Sequence, residues 1–247
     1  MPEAVHHFVE SGSHQDVRDI HQEIINSYVL DFAKHAPTTD IPKLSLIWDS
    51  IPGHLARENK KFVFSAVRTG ARAREYEGAL GWLEDTGLIH RVSAVETSKH
   101  PLKYYANRSS FKIYMLDVGL LGAVAKLPVD MSAQGTRLFN EYEGAFVENY
   151  VAQQLIAAGQ EELFYWRSKG GRAELDFLCE IGGGIIPLEV KVGVNPRSKS
   201  LKSYDDQFAP PCLARTTLLN LKRDGKICNL PLYAVSLFSS WIPNLRF

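Results

Sequence analysis

The chain is short of cysteine, of long apolar runs and of net charge, and each shortage excludes a class of protein. Its three cysteines, Cys179, Cys212 and Cys228, are odd in number, far apart and form no CxxC pair. That excludes a disulfide framework or a zinc knuckle and fits idle thiols in a reducing compartment. No apolar run approaches the about 18 residues that mark a membrane-spanning helix. The opening Met1-Pro-Glu-Ala-Val-His-His has neither a basic stretch nor an apolar core, so it does not read as a secretory signal, and a cytoplasmic location is expected. Lys plus Arg and Asp plus Glu number 28 each, so net charge points to no partner, although a neutral chain can still segregate its charges. Histidine is absent beyond His100, which argues against a histidine-based metal site or hydrolase triad in the second half. His7, His14 and His21 recur at seven-residue spacing and read as chance or a solvated stripe.

There is ample material for a core. Apolar residues make up 45% and charged residues 23% of 247, an ordinary globular balance for one large domain or two modest ones. No repeat or low-complexity tract interrupts it. Val17, Ile20, Ile24, Tyr28 and Phe32 form a helical stripe over 16–35, ended by Pro37. Leu44, Ile47, Ile51 and Leu55 predict a second helix, with Pro52 arguing for a kink or break. Lys61 to Val67 reads as a short helix or an extended piece. Arg72 to Asp85 reads as a helix with Tyr76, Ala79, Leu80 and Leu83 on its apolar face, and Gly87 as its C-cap. Strands are expected at Leu88–Val95 and Phe111–Asp117, with a turn at Lys99–Lys103. Two helices followed by a two-stranded wing is the order of a winged helix.

After a connecting segment at 119–137 the pattern changes. Phe139 to Ala158 predicts one long helix with Tyr142, Phe146, Tyr150, Val151 and Leu155 available for a core. Three strands follow, at Leu163–Trp166, Ala173–Glu180 and Ile185–Val192, the last two joined by Gly182-Gly-Gly184 as a hairpin. A helix at Ser200–Phe208 and strands at Thr216–Leu221 and Pro231–Leu237 complete the pattern. The fold class expected is α/β (α+β): a helical, winged-helix-like domain at 1–125, then a mixed sheet flanked by helices at 126–247.

One constellation carries chemistry. Alternation places Glu189 and Lys191 on one strand face and Leu188, Val190 and Val192 on the other. Glu174 and Asp176 share a face of the preceding strand, and a tight hairpin brings Asp176 alongside Glu189. Two hard carboxylates can hold Mg²⁺ or Mn²⁺, which polarises a phosphate and activates water, while a lysine offsets the charge that develops. Glu148, on the long helix, is a further candidate metal ligand with Asp176 and Glu189; Glu141 and Glu143 lie near it. The plain alternative is ordinary alternation with solvated charges outside, and Glu174 reads as accessory or solvated.

Asp176 followed by Glu189-Val190-Lys191 resembles the PD-(D/E)xK nuclease signature, with Glu148 similar to its helix-borne glutamate and Leu175 standing where that signature often has proline. Four longer phrases extend the likeness over most of the chain. They are Tyr76-Glu-Gly-Ala-Leu-Gly-Trp-Leu-Glu-Asp-Thr-Gly-Leu-Ile, Phe111-Lys-Ile-Tyr-Met-Leu-Asp-Val-Gly-Leu-Leu, Gly144-Ala-Phe-Val-Glu-Asn-Tyr-Val-Ala-Gln-Gln-Leu, and Glu174-Leu-Asp-Phe with Glu189-Val-Lys. They resemble the C-terminal region of a bacterial and archaeal AAA+-type ATPase family whose terminal domain has no assigned function. The resemblance implies a restriction-endonuclease-like domain, with Asp176, Glu189 and Lys191 catalytic, and either an ATPase partner or a P-loop ATPase module ahead of this chain. No GxxxxGK[ST] occurs, so no ATP site is expected here.

The basic residues Arg57, Lys60, Lys61, Arg68, Arg72 and Arg74 meet only Glu58 over 57–74. Arg68, Arg72 and Arg74 are candidates for DNA phosphate contact, with a solvated or ATPase-docking face as the alternative. Lys199 and Lys202, with Arg197, follow the ExK strand and are candidates for gripping the backbone. The expected function is Mg²⁺-dependent phosphodiester hydrolysis on DNA. The alternative is a non-catalytic DNA-binding or regulatory module that serves an ATPase.

Overall fold

The computed structural model describes residues 1–129, 144–191, 193 and 198–241. The chain is mixed α/β: a helical N-terminal part precedes a mixed eight-stranded sheet flanked by helices. It divides into two compact units, each discontinuous in sequence: Met1–His90 with Ile113–Asn149, and Arg91–Lys112 with Tyr150–Phe247.

The first unit is helical. Helix α1 (Pro2–Ser11) ends at Gly12 in the left-handed conformation. Helix α2 (His14–His35) starts where the Ser13 hydroxyl accepts the Asp16 N–H, a side-chain cap for one of the helix's orphan donors. Helix α3 (Ile41–Leu55) buries Leu44, Ile47, Trp48, Ile51 and Leu55, the apolar stripe seen in the sequence. It runs through Pro52, which falls in the last turn, and Pro52 O still accepts the Ala56 N–H. Short α4 (Phe64–Val67) precedes α5 (Ala73–Asp85), whose Tyr76, Ala79, Leu80 and Leu83 are buried. Phe32 ties three helices together, edge-on to Trp48 of α3 at 6.2 Å and to Trp82 of α5 at 5.6 Å. Helix α6 (Val118–Val124) lies in the segment expected to be a mere connection, and Asp117 caps it by accepting the Gly119 and Leu120 N–H groups. Helix α7 (Ala145–Ala157), whose residues from Tyr150 on are counted with the second unit, is the described part of the expected long helix; Phe139 to Glu143 fall outside the described residues.

The sheet lies mostly in the second unit. Its strands are β1 (Ile89–Val95), β2 (Asn107–Met115), β3 (Leu163–Arg167), β4 (Glu174–Ile181), β5 (Gly184–Val190), β6 (Leu213–Thr217), β7 (Lys222–Asp224) and β8 (Ile227–Pro231). The first residues of β1 and the last of β2 are counted with the first unit. Their order is β2-β1-β3-β4-β5-β6-β8-β7. The β1/β3, β5/β6 and β6/β8 pairs are parallel and the β3/β4, β4/β5 and β7/β8 pairs antiparallel. The two strands expected as a wing are therefore part of a larger sheet, because β1 also pairs with β3. Gly182 and Gly183 have φ of +58° and +78°, which makes the two-residue β4–β5 connection a turn that glycine alone enters without strain. Helix α8 (Lys199–Phe208) joins β5 to β6 and starts at Ser198, whose hydroxyl accepts the Leu201 N–H.

Leu201 and Tyr204 of α8 pack with Val95, Phe164, Trp166, Leu175, Leu178, Ile185 and Leu213 on one sheet face. Burying each large apolar side chain of this layer contributes about 1.5–3 kcal/mol. The expected strand at Pro231–Leu237 is a correction: β8 ends at Pro231, and a 3₁₀ turn over Leu232–Leu237 follows. The sequence shows only an apolar run there, and apolar runs do not separate strand from turn. The other late strand begins at Leu213, upstream of the expected Thr216. All three cysteines are free and buried, and burial pushes the Cys179 thiol up to about 12 and Cys212 up to about 11.

Candidate functional site

The β4–β5 hairpin positions the residues singled out by their spacing. Its ladder pairs Phe177 with Leu188 and Leu178 with Pro187, and one further step in that register sets Asp176 against Glu189. A bulge modifies this end. Between Phe164 and Trp166 on β3 the partner strand runs from Leu178 to Leu175, one residue too many, and both leucines belong to the layer beneath α8. The extra residue falls at Asp176 or Phe177, and such a bulge re-aims the side chain it carries. Plain alternation could not foresee it.

The bulge leaves Asp176 bridging two groups. Its Oδ2 accepts the Val190 N–H at 2.7 Å, which ties it to β5 between Glu189 and Lys191. Its Oδ1 lies 4.0 Å from Nζ of Lys112, and that ammonium is 2.7 Å from Oε1 of Glu174 and 4.9 Å from the centre of the Tyr165 ring. Just past the end of β5, Lys191 Nζ lies 2.6 Å from Glu189 Oε1. Glu189 follows Ile185 and Pro187 at period two, which puts it on the α8 side, and Arg215 of β6 pairs with Glu189 in the parallel register. Arg215 in turn donates from Nε to Asn229 Oδ1 at 3.3 Å.

Five charged side chains of the second unit thus gather at the end of the β4–β5 ladder: Lys112, Glu174, Asp176, Glu189 and Lys191. Lys112 and Arg215 were missed by the sequence reading. The signal for Lys112 was present, since a lysine alternating with Phe111 and Ile113 in an apolar strand needs a buried anionic partner. Arg215 lay outside the strand as the sequence delimited it. Glu174 is no solvated bystander, because it holds Lys112.

Glu148 belongs to the first unit, and both of its oxygens are engaged there. Lys60 Nζ donates to Oε1 at 2.6 Å and Tyr114 OH donates to Oε2 at 2.9 Å, with Glu148 and Lys60 both buried. Next to it, Asn149 accepts the Met115 N–H at 2.8 Å and donates to the Met115 carbonyl at 3.0 Å, completing the end of β2 as a backbone partner would. Lys60 is therefore not available to DNA, unlike Arg68, Arg72 and Arg74, which are exposed around the start of α5. Lys199 and Lys202 are exposed on the first turn of α8. Arg197, Glu141 and Glu143 lie outside the described residues.

The donors suit a hard cation in kind, being carboxylate oxygens. Among the described residues no three His, Cys, Asp or Glu side chains gather as a ready metal cage. Mg²⁺ does not require one, since it is commonly held by one or two carboxylates with waters and substrate phosphates. No described helix is long and apolar enough to cross a membrane.

No curated protein and no solved structure matches the chain. Residues 143–234 match a domain of unknown function, DUF4143, which is typically found in AAA-ATPase-associated proteins. Residues 1–130, more than half of the chain, match a second domain of unknown function, DUF8612, and the chain belongs to that family.

Proposed function

We propose that this protein is a nuclease-like DNA-binding module that works with an AAA ATPase and hydrolyses phosphodiester bonds at Asp176, Glu189 and Lys191. The observation that carries the reading is the meeting of Asp176 and the Glu189–Lys191 pair at the Val190 N–H, with Lys112 on the far side of Asp176. Asp176 and Glu189 would hold Mg²⁺ or Mn²⁺, which supplies Lewis acidity and a water of lowered pKa when bound. The chain's own residues do the rest. The Val190 N–H fixes the Asp176 carboxylate against β5, and Lys191 carries the positive charge that offsets charge building on a phosphate. Lys199 and Lys202 in the second unit, and Arg68, Arg72 and Arg74 in the first, supply exposed cations for backbone phosphates. The proposal needs only Asp176 and Glu189 as ligands, because Glu148 already serves Lys60 and Tyr114. Three unpaired thiols fit work in the cytoplasm.

A second reading has its own observation. Glu174 and Glu189 each already face a lysine, and a site so neutralised suits a non-catalytic DNA-binding or regulatory module of the ATPase. Cleavage of DNA with Mg²⁺ or Mn²⁺ separates the two. Wild type is expected to cut, and Asp176→Ala and Lys191→Ala to lose at least about a hundredfold in rate. Equal cutting by all three proteins sinks the site, and no cutting by any of them favours the non-catalytic module.

A further inference from the structure

A cleft of about 390 Å³ opens in the second unit between the β1–β2 connection and β3. Its volume falls at the low end of the roughly 300–1,000 Å³ filled by small ligands. The lining is mixed: Ala94 with Glu96, Thr97, Tyr105, Asn107, Ser110 and Arg167. Neither the Asp176 grouping nor the exposed arginines account for it.

Three observations define what could fill it. First, the cleft shares a sheet face with Lys112 and Glu174, the inner members of the charged grouping. Arg167 pairs with Glu174 in the β3–β4 register, and Glu174 holds Lys112. Ser110 lies two residues before Lys112 on β2, and its hydroxyl is 3.1 Å from Tyr165 OH, the ring over which Lys112 sits. Second, Arg167 offers an exposed cation with the Gly170–Gly171 turn packed close against it. Gly170 and Gly171, with φ of +84° and +70°, turn back over Arg167, and a Cβ at Gly171 would stand 2.7 Å from its Nη2. Third, the connection that forms the outer wall carries Tyr104 at 80% and Tyr105 at 44% exposure, with Arg108 exposed beside them. Asn107 Oδ1 is taken by the Ser109 N–H and hydroxyl, which turns its amide nitrogen toward other partners.

A guanidinium, an open aromatic face, an amide donor, a carboxylate acceptor and hydroxyls are the groups that read a nucleotide: phosphate on the guanidinium, base stacked on the ring, base edge on the amide and carboxylate. We infer that this cleft binds one nucleotide unit, with Arg167 on its phosphate and Tyr105 against its base. The choice of a nucleotide as occupant rests on the nuclease-like reading, for which the cleft would seat the residue flanking the bond at Asp176.

The test is binding of a short fluorescent single-stranded oligonucleotide to the full chain in EDTA, followed by anisotropy. Wild type is expected to bind. Tyr105→Ala should weaken binding roughly five- to a hundredfold, the range for loss of one stacked base. Arg167→Ala should weaken it roughly ten- to a hundredfold, with part of the loss restored in Arg167→Lys. Tyr233→Ala, an exposed aromatic that does not line the cleft, should bind as wild type does. If Arg167→Ala fails to fold, Tyr105→Ala carries the test, since its ring is already partly in solvent. Displacement by thymidine monophosphate assigns the cleft to free nucleotides, and displacement only by unlabelled oligonucleotide assigns it to a strand. Absence of wild-type binding, or equal binding by wild type, Tyr105→Ala and Arg167→Ala, overturns the inference. Cutting that persists in Mg²⁺ while these variants bind normally removes the cleft alone. Normal cutting by Asp176→Ala and Lys191→Ala, with the binding losses intact, removes the nuclease reading alone.

Discussion

Each unit holds a lysine–glutamate pair at 2.6 Å, yet the surroundings of the two pairs differ. Lys60 and Glu148 in the first unit are 10% and 6% exposed, and Tyr114 takes the second oxygen of Glu148. In the second unit Glu189 is 8% exposed but its partner Lys191 is 30% exposed, at the end of a strand. The first arrangement is complete and closed. Two charges out of water are tolerated because every strong acceptor site has a donor, and removing one partner leaves the other stranded. In the second, solvent already reaches the lysine, so it can exchange its carboxylate for a phosphate or an ion at small cost. The resemblance groups Glu148 with Glu189 as ligands of one kind; their environments differ, the first holding a helix and a strand together and the second leaving its lysine open to solvent.

The largest effect tests that contrast directly. Lys60→Ala is expected to cost about 3–5 kcal/mol, because it strands a buried carboxylate. Lys191→Ala also uncovers a buried carboxylate, but its partly solvated ammonium leaves an opening that water can fill, so a smaller loss of about 1–3 kcal/mol is expected. Urea unfolding of both variants measures the difference, and similar losses would erase the distinction between the two pairs. The next effect sharpens the second site. Gly183→Ala forces a side chain into φ +78° in the turn that frames Asp176 and Glu189, at a cost of about 1–2 kcal/mol. Gly183→Asn should cost less, because asparagine tolerates the left-handed region. If both variants match wild type in thermal melting, the turn does not set the hairpin.

Acid should also distinguish the two units. Burial lowers the pKa of His21, against the opposing pull of Asp117, and burial lowers that of His90; both residues lie in the first unit. An imidazole that resists protonation when folded takes up its proton more readily unfolded. Stability is therefore full above the unfolded value of about 6.5 and is lost as pH falls from there toward the lowered folded value. Melting temperature measured from pH 8 to pH 5 should fall for wild type and fall less for His90→Gln. A decline of equal depth in that variant would remove His90 from the account.

Much of this organisation is legible in the sequence, for identifiable reasons. The stripes at Val17–Phe32, Leu44–Leu55 and Tyr76–Leu83 have the helical period, and all three are helices. Gly182-Gly-Gly184 between two apolar runs can only be a tight turn, and it is one. The Asp176, Glu189 and Lys191 positions could be named because alternation and the hairpin fix their register. What the sequence withholds is non-local. The bulge at Asp176 or Phe177 arises in the pairing of β4 with β3, which lies beyond a separate turn. The partners of Glu174 and Glu148 are 62 and 88 residues away, at Lys112 and Lys60. The wing strands join a larger sheet because β3, more than 60 residues on, supplies a parallel neighbour for β1. Helix α6 was hidden by its small residues, Gly119, Gly122 and Ala123, which carry little periodic signal.

The smallest expected effect is a control on the first comparison. Lys226 and Asp205 form an ion pair with side chains 35% and 34% exposed, between the β7–β8 turn and α8. The separation is as short as in the buried pair, so a ledger based on distance alone would rank the two together. Water screens this pair in both the folded and the unfolded chain, and fixing two long side chains costs entropy, so the net contribution is about 0–1 kcal/mol. Lys226→Ala should therefore unfold within about 1 kcal/mol of wild type, and added salt should reduce the difference further, whereas the Lys60→Ala deficit should resist salt because ions do not reach it. Measuring both variants at low and high salt distinguishes burial from geometry as the source of the effect. If Lys226→Ala lost as much as Lys60→Ala, short contact rather than closure would set the energetics, and the case for an openable Glu189–Lys191 pair would fall with it.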